Sequence, residues 1–314
     1  MSTQSSALRL AAVFAAVAIG AAVAAPIAQA KSAGPLITPA ALSSNFKTPL
    51  DSTPNPDGNM IYFTASASKG SGKGVFAVAA KGGKATALFV GAPFMTPAGI
   101  ATSLDGQQVF VADAQANQLF ALSIAGKATP LPIKGTQGTA PRNLDVVSEH
   151  DQMTIYFTGK DADGQPAVLK IAASGADKAQ VVFKGAPLAE PDGIAVSADS
   201  TVYVADRMAG KVFKIAGGKA SELVSNVHTG NPAGIALTKD GSTLLVSAFQ
   251  ADGKHDQVLV VNTATGASSS VTDVVGKNSA AGGVHRAYNM NVFSWADLTS
   301  PGCRARGCVY RVNP

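Results

Sequence analysis

Pro97-Ala98-Gly99-Ile100-Ala101 stands ahead of a Leu104-Asp105-Gly106 turn and a Val109-Phe110-Val111-Ala112-Asp113 run. The same order returns at Pro191-Asp192-Gly193-Ile194-Ala195, with Ala198-Asp199-Ser200 and Val202-Tyr203-Val204-Ala205-Asp206 behind it. It returns again at Pro232-Ala233-Gly234-Ile235-Ala236, with Lys239-Asp240-Gly241 and Leu244-Leu245-Val246-Ser247-Ala248. Looser copies open at Pro49, at Pro141-Arg142-Asn143-Leu144-Asp145 and at Ala281-Gly282-Gly283-Val284. Starts at 49, 97, 141, 191, 232 and about 281 are spaced by 48, 44, 50, 41 and 49 residues.

Each copy contains four short runs suited to strands, bounded by Gly, Asp or Asn. Val212-Phe213-Lys214-Ile215, for example, is followed by Gly217-Gly218 and then Glu222-Leu223-Val224. Short β-branched and aromatic runs between such turns predict antiparallel hairpins. Four strands per unit at this period predict an all-β, six-bladed propeller of four-stranded antiparallel blades. A β-sandwich is the competing all-β arrangement, but it leaves six recurrences of one pattern unexplained.

The chain ends suggest how the ring closes. The last copy stops after its third strand, Cys308-Val309-Tyr310-Arg311-Val312, while a spare segment, 31–48, precedes the first. A strand from that segment would cover the open edge of the last blade. The domain reading is therefore 1–30 a cleaved signal peptide, 31–48 the closing segment, and 49–314 the propeller.

The signal peptide is read from Arg9, an apolar run from Leu10 to Ala25, Pro26, and the small-x-small triplet Ala28-Gln29-Ala30. An uncleaved anchor is the alternative, but the run falls short of the roughly twenty residues needed to span a bilayer. Export to the periplasm or beyond is the expectation, with no transmembrane segment in the mature chain. In an oxidising compartment Cys303 and Cys308, the two cysteines of the chain, are expected to form a disulfide stapling the last hairpin.

Composition excludes other classes. With 14% charged and 46% hydrophobic residues, the chain has the opposite balance to a disordered one. Its 32 Gly and 17 Pro favour turns over long helices. The net charge of +5 comes from singly scattered Lys and Arg, which argues against nucleic-acid binding.

The Pro-x-Gly-Ile-Ala…Asp-Gly…Val-x-Val-Ala-Asp units resemble those of NHL-repeat proteins and of the SMP-30/gluconolactonase-like superfamily, over residues 49–314. That resemblance implies a six-bladed propeller. It also implies, for the lactonase-like members, a calcium ion in the central channel held by Glu, Asn and Asp from different blades. Hard cations take such oxygen ligands. Position by position, Asp192 matches the family's Asp. Asp51 and Asn143 each fall one residue from a ligand position, and Ala98 replaces another ligand.

Asp51, Asn143 and Asp192 are accordingly the candidate metal ligands, and calcium the candidate cofactor. Arg142, His285 and Arg286 are candidate ligand-binding groups at the channel mouth, with His285 also a possible general base. Asp113, Asp206 and Asp297 recur too regularly to mark one site and are read as turn-fixing residues. Two functions follow. The first is an exported, monomeric binding module for a protein, glycan or small ligand. The alternative is a metal-dependent lactonase-type hydrolase.

Overall fold

The computed structural model describes residues 37–42, 44–125, 128–250, 256–272, 281–298 and 307–313. The expected signal peptide, residues 31–36 of the expected closing segment, and Cys303 lie outside the described residues.

The strands assemble into six four-stranded antiparallel sheets. The first sheet holds β2 (Phe46–Pro54), β3 (Met60–Ala67), β4 (Lys73–Ala79) and β5 (Thr86–Val90). The second holds β6 (Pro97–Thr102), β7 (Gln108–Asp113), β8 (Gln118–Ser123) and β9 (Leu131–Pro132). The third holds β10 (Leu144–Glu149), β11 (Gln152–Lys160), β12 (Pro166–Ala172) and β13 (Gln180–Lys184). The fourth holds β14 (Pro191–Val196), β15 (Val202–Asp206), β16 (Lys211–Ala216) and β17 (Lys219–Ser225). The fifth holds β18 (Ile235–Leu237), β19 (Thr243–Phe249), β20 (Asp256–Asn262) and β21 (Ser268–Thr272). The sixth holds β22 (Ala281–Arg286), β23 (Phe293–Asp297), β24 (Cys308–Val312) and, outermost, β1 (Ile37–Leu42).

Successive innermost strands touch around a circle: β2, β6, β10, β14, β18, β22 and back to β2. This is a six-bladed β-propeller. In the sixth blade, Ile37 lies opposite Val312 and Leu42 opposite Cys308. The first blade begins at Phe46 rather than Pro49, because Phe46 and Lys47 pair with Ala67 and Ser66 before the ladder shifts register and resumes at Asp51. Among the described residues, no helix is long and apolar enough to cross a membrane.

A single sheet cannot bury both of its faces, so the hydrophobic core is divided among the interfaces between blades. One cluster joins Phe110 and Leu119 of the second blade to Leu144, Phe157 and Leu169 of the third. Others join Tyr156 and Val168 to Ile194 and Phe213, and Tyr203 and Val212 to Ile235 and Val246. At roughly 25 cal/mol per Å² of apolar surface buried, these six interfaces are what holds the ring together.

The Gly of Pro-x-Gly, and Gly283 in the corresponding place of the last blade, sit tight against the neighbouring innermost strand. A Cβ on Gly193 would lie 2.7 Å from the Ala233 carbonyl oxygen, and one on Gly283 would lie 1.7 Å from the Asp51 carboxylate. Only a residue without a side chain leaves that room.

The blades also alternate. In the first, third and fifth, the fourth residue of the second-strand run is Thr64, Thr158 or Ser247. Each hydroxyl donates to a carbonyl of the next blade's innermost strand: Ala98 at 2.7 Å, Asp192 at 2.5 Å and Gly282 at 2.6 Å. Each also accepts a backbone N–H from its own innermost strand, from Asp51, Asn143 and Gly234. In the second, fourth and sixth blades the same position is Ala112, Ala205 or Ala296, followed by a buried Asp. Asp113 accepts the N–H groups of Met95, Thr96 and Ala116, and Asp206 those of Ala189, Glu190 and Ala209.

The recurring Asp113 and Asp206 therefore fix the loops that enter and leave their blades. The repeating unit is a pair of blades. Pro49, Pro141 and Pro232 are 92 and 91 residues apart, more regular than the single-blade spacing.

Candidate functional site

The innermost strands all run in one direction, so the channel has two chemically distinct ends. One lies where these strands begin, at the Pro-x-Gly segments. The other lies where they end, at the hairpin turns to the second strands. Residues three apart on a strand are separated by about 10 Å. This spacing splits the residues anticipated at a single channel mouth: Arg142 sits at the first end, His285 and Arg286 at the second.

At the hairpin-turn end a cavity of about 660 Å³ opens. Every innermost strand contributes to it: Thr53, Thr102, Asp145, Val196, Leu237 and His285 line its wall. At its floor stands a buried His–Asp pair. The His285 Nε2 lies 3.0 Å from Asp51 Oδ2, and both side chains are buried. Asp51 Oδ2 also accepts the Ile100 N–H at 2.9 Å, while Oδ1 accepts the Ser52 N–H at 2.8 Å. One carboxylate thus ties together the sixth, first and second blades.

Asp145 repeats this arrangement, accepting the N–H of Val146 and, across the blade boundary, that of Val196, both at 2.8 Å. Burial disfavours a charged His285, but the carboxylates of Asp51 and Asp145 more than offset it, raising its pKa above that of free histidine. Burial likewise raises the Asp145 pKa, against the pull of His285 and Arg286. Desolvation lowers the pKa of Arg286. Its guanidinium donates to the carbonyls of Leu237, Ala287 and Tyr288, which fastens the last hairpin turn.

The rim carries Tyr288, which is 40% exposed, together with Lys239, Asp199 and Asp240. Hydrogen bonds from Ser197 and Thr238 hold Asp199 and Asp240 below the usual carboxylate range.

At the Pro-x-Gly end, two arginines share one glutamate. Arg142 Nη2 pairs with Glu190 Oε1, and Arg207 Nη2 with Glu190 Oε2. Arg142 Nη1 also reaches to 3.7 Å from Asp192 Oδ2. Asp192 is buried, and Oδ2 accepts the Ala233 N–H at 3.1 Å. Burial pushes its pKa up to about 7, against the pull of Arg142. Asn143, also buried, donates from Nδ2 to the Ala233 carbonyl at 3.3 Å and accepts the Leu144 N–H at 2.6 Å.

The three candidate metal ligands are thus each engaged by the protein. Asp51 faces an imidazole, Asn143 Oδ1 faces a backbone N–H, and Asp192 faces a guanidinium. Among the described residues, no three His, Cys, Asp or Glu side chains gather as a metal-binding set. A hard dication needs several anionic oxygens directed at one point, and this donor set does not fit one.

Asp145, Glu190, Arg207 and Tyr288 were not singled out in the sequence. Asp145 carried a readable signal. It lies four residues after Pro141, the position that His285 occupies after Ala281, so the two share one column of the repeat. Glu190 and Arg207 flank the fourth blade's Pro and Asp and carry no comparable mark.

No protein-family model and no curated protein matches the sequence. Solved structures do match in fold. Regucalcin from Agrobacterium tumefaciens, a calcium-binding protein, is 13% identical, with 86% of this chain and 90% of that chain covered and a TM-score of 0.59. Virginiamycin B lyase from Staphylococcus aureus is 14% identical, with 88% of each chain covered and a TM-score of 0.54. A chain of a nidogen/laminin complex is 15% identical, with 72% of this chain and 81% of that chain covered and a TM-score of 0.58. These proteins differ widely in role, so the likeness is one of fold.

Proposed function

We propose that this protein is an exported binding propeller whose hairpin-turn cavity takes a small, uncharged, hydroxyl-rich ligand such as a mono- or disaccharide. The cavity itself carries the reading. A volume near 660 Å³ falls within the usual range of small-molecule sites. Its lining balances Asp145, Asp199 and Asp240 against Lys214, Lys239 and Arg286, and Asp51 lies directly behind His285. An ion of either sign therefore gains little from the net field. Hydroxyl groups, which both donate and accept, suit the alternating carboxylates, threonines and cations of the wall. The exposed Tyr288 ring offers a face for a sugar to stack on.

The test is calorimetry and thermal melting with glucose, N-acetylglucosamine and maltose. Binding raises the midpoint, because the ligand binds only the folded state. Ala198→Trp, at the exposed rim, is expected to abolish the shift while leaving the unliganded midpoint unchanged. Equal responses from the parent and Ala198→Trp would remove the cavity from consideration. Turnover of a gluconolactone that is lost in Asp192→Ala would instead favour lactonase-type hydrolysis.

A further inference from the structure

Two consecutive blades carry the same pair of side chains at the same place. In the third, Tyr156 on β11 stands directly opposite Lys170 on β12; in the fourth, Tyr203 on β15 stands opposite Lys214 on β16. In each pair the ammonium lies over the tyrosine ring, 5.3 Å and 6.0 Å from its centroid. The corresponding residues of the other blades are Tyr62 with Ala77, Phe110 with Ala121, Leu245 with Val260 and Ser294 with Arg311.

The two copies differ in what the ammonium meets. In the third blade Glu149 completes the group. Its carboxylate accepts Lys170 Nζ at 2.9 Å, the Tyr156 hydroxyl and, from the turn of the next blade, Ser200 Oγ at 2.9 Å. Glu149 gets there because its hairpin is long: Tyr156 follows its partner Asp145 by 11 residues, whereas Tyr203 follows Ala195 by 8. The shorter hairpin brings no glutamate to Lys214. Its one acid, Asp199, is held within its own turn by Ser197 Oγ and the Thr201 N–H. Among the described residues, neither Lys214 Nζ nor the Tyr203 hydroxyl has a hydrogen-bond or ion-pair partner. Where Glu149 fills one wedge, the next holds open space: Tyr203, Lys214 and Gly241, the counterpart of Ser200, all line the cavity.

The other cations of the lining are engaged. Lys239 donates to the Asn289 carbonyl at 3.0 Å, Arg286 to the Leu237 carbonyl, and His285 faces Asp51. The charges of the wall thus cancel in sum but not at this spot. A half-buried ammonium beside an unengaged hydroxyl gains from a carboxylate a charge-assisted bond that no uncharged group supplies.

We propose that this recess, between the fourth and fifth blades, binds the carboxylate of a small organic acid, with Lys214 and the Tyr203 hydroxyl as its donors. Glu149 shows the group that fits, and its side chain has the shape of propionate. The proposal goes beyond the sugar reading and does not rest on it.

The experiment is a ligand-observed NMR titration with propionate at constant ionic strength, with propionamide as the uncharged isostere. Propionate is expected to bind saturably at millimolar concentrations, and propionamide not to bind. Lys214→Met, which keeps the packing stem, weakens propionate about tenfold or more, and Tyr203→Phe severalfold. A parent protein that ignores propionate, or takes propionamide equally well, overturns the proposal. So does a folded Lys214→Met that binds propionate as the parent does. Should Lys214→Met not fold, Tyr203→Phe decides: a severalfold loss supports the site, and unchanged binding overturns it. None of these outcomes depends on whether a sugar enters the cavity.

Discussion

Odd and even blades satisfy the same backbone demands by different means. In the first, third and fifth blades a hydroxyl spans to the next blade and takes up a carbonyl at the channel wall. In the second and fourth an alanine fills that place, and the adjacent aspartate gathers three N–H groups of the flanking loops. A blade buried on both sides cannot leave such groups unpaired. The difference shows that the pair of blades is the mechanical unit: the odd member is bound to its successor, and the even member shapes the loops.

The largest expected effect comes from the even blades. Asp206→Ala strands three buried or half-buried N–H groups and is expected to cost about 3 kcal/mol in denaturant unfolding. Thr158→Val, in the odd blade before it, removes one hydroxyl of nearly the same volume and is expected to cost about 1.5 kcal/mol. If Thr158→Val costs as much as Asp206→Ala, the proposed division of labour between blades is wrong.

The smallest effects are in the pH dependence, and they compare the two ends of the channel. Asp192 and His285 both bind a proton more tightly in the folded chain than in the unfolded one. At these two groups folding takes up protons, so their contribution to stability falls as pH rises. Asp192 contributes this fall between about 3.8 and about 7, and His285 contributes from 6.5 upward through its raised folded value. Each slope is at most about 1.4 kcal/mol per pH unit. Asp192→Asn should make the acidic limb shallower, leaving the part that the raised pKa of Asp145 supplies, and Asp51→Asn should flatten the alkaline one, measured as unfolding free energy from pH 4 to pH 9. A single substitution that flattens both limbs would mean that the two ends titrate as one coupled system.

Much of this was legible in the chain. Strand alternation and Asp-Gly turns are local properties, readable wherever they occur, and six copies of one order leave few architectures. The recurrence of Asp113, Asp206 and Asp297 correctly set the first two apart as turn-fixing residues. The channel was read less well, because adjacency along a repeat says nothing about depth along an axis. Arg142 and His285 both follow a Pro- or Gly-rich opening, yet they occupy opposite ends.

Sequence alone determined the blade count and the turn positions, since each depends on a few consecutive residues and their conformational limits. Tertiary structure decided the partners of the charges. Asp51 meets His285 across 234 residues because the ring places its first blade beside its last. Arg142 meets Asp192 because neighbouring innermost strands converge on one axis. A buried charge is stabilised by whatever lies within a few ångströms, and in a closed ring the assembly of the blades sets that distance.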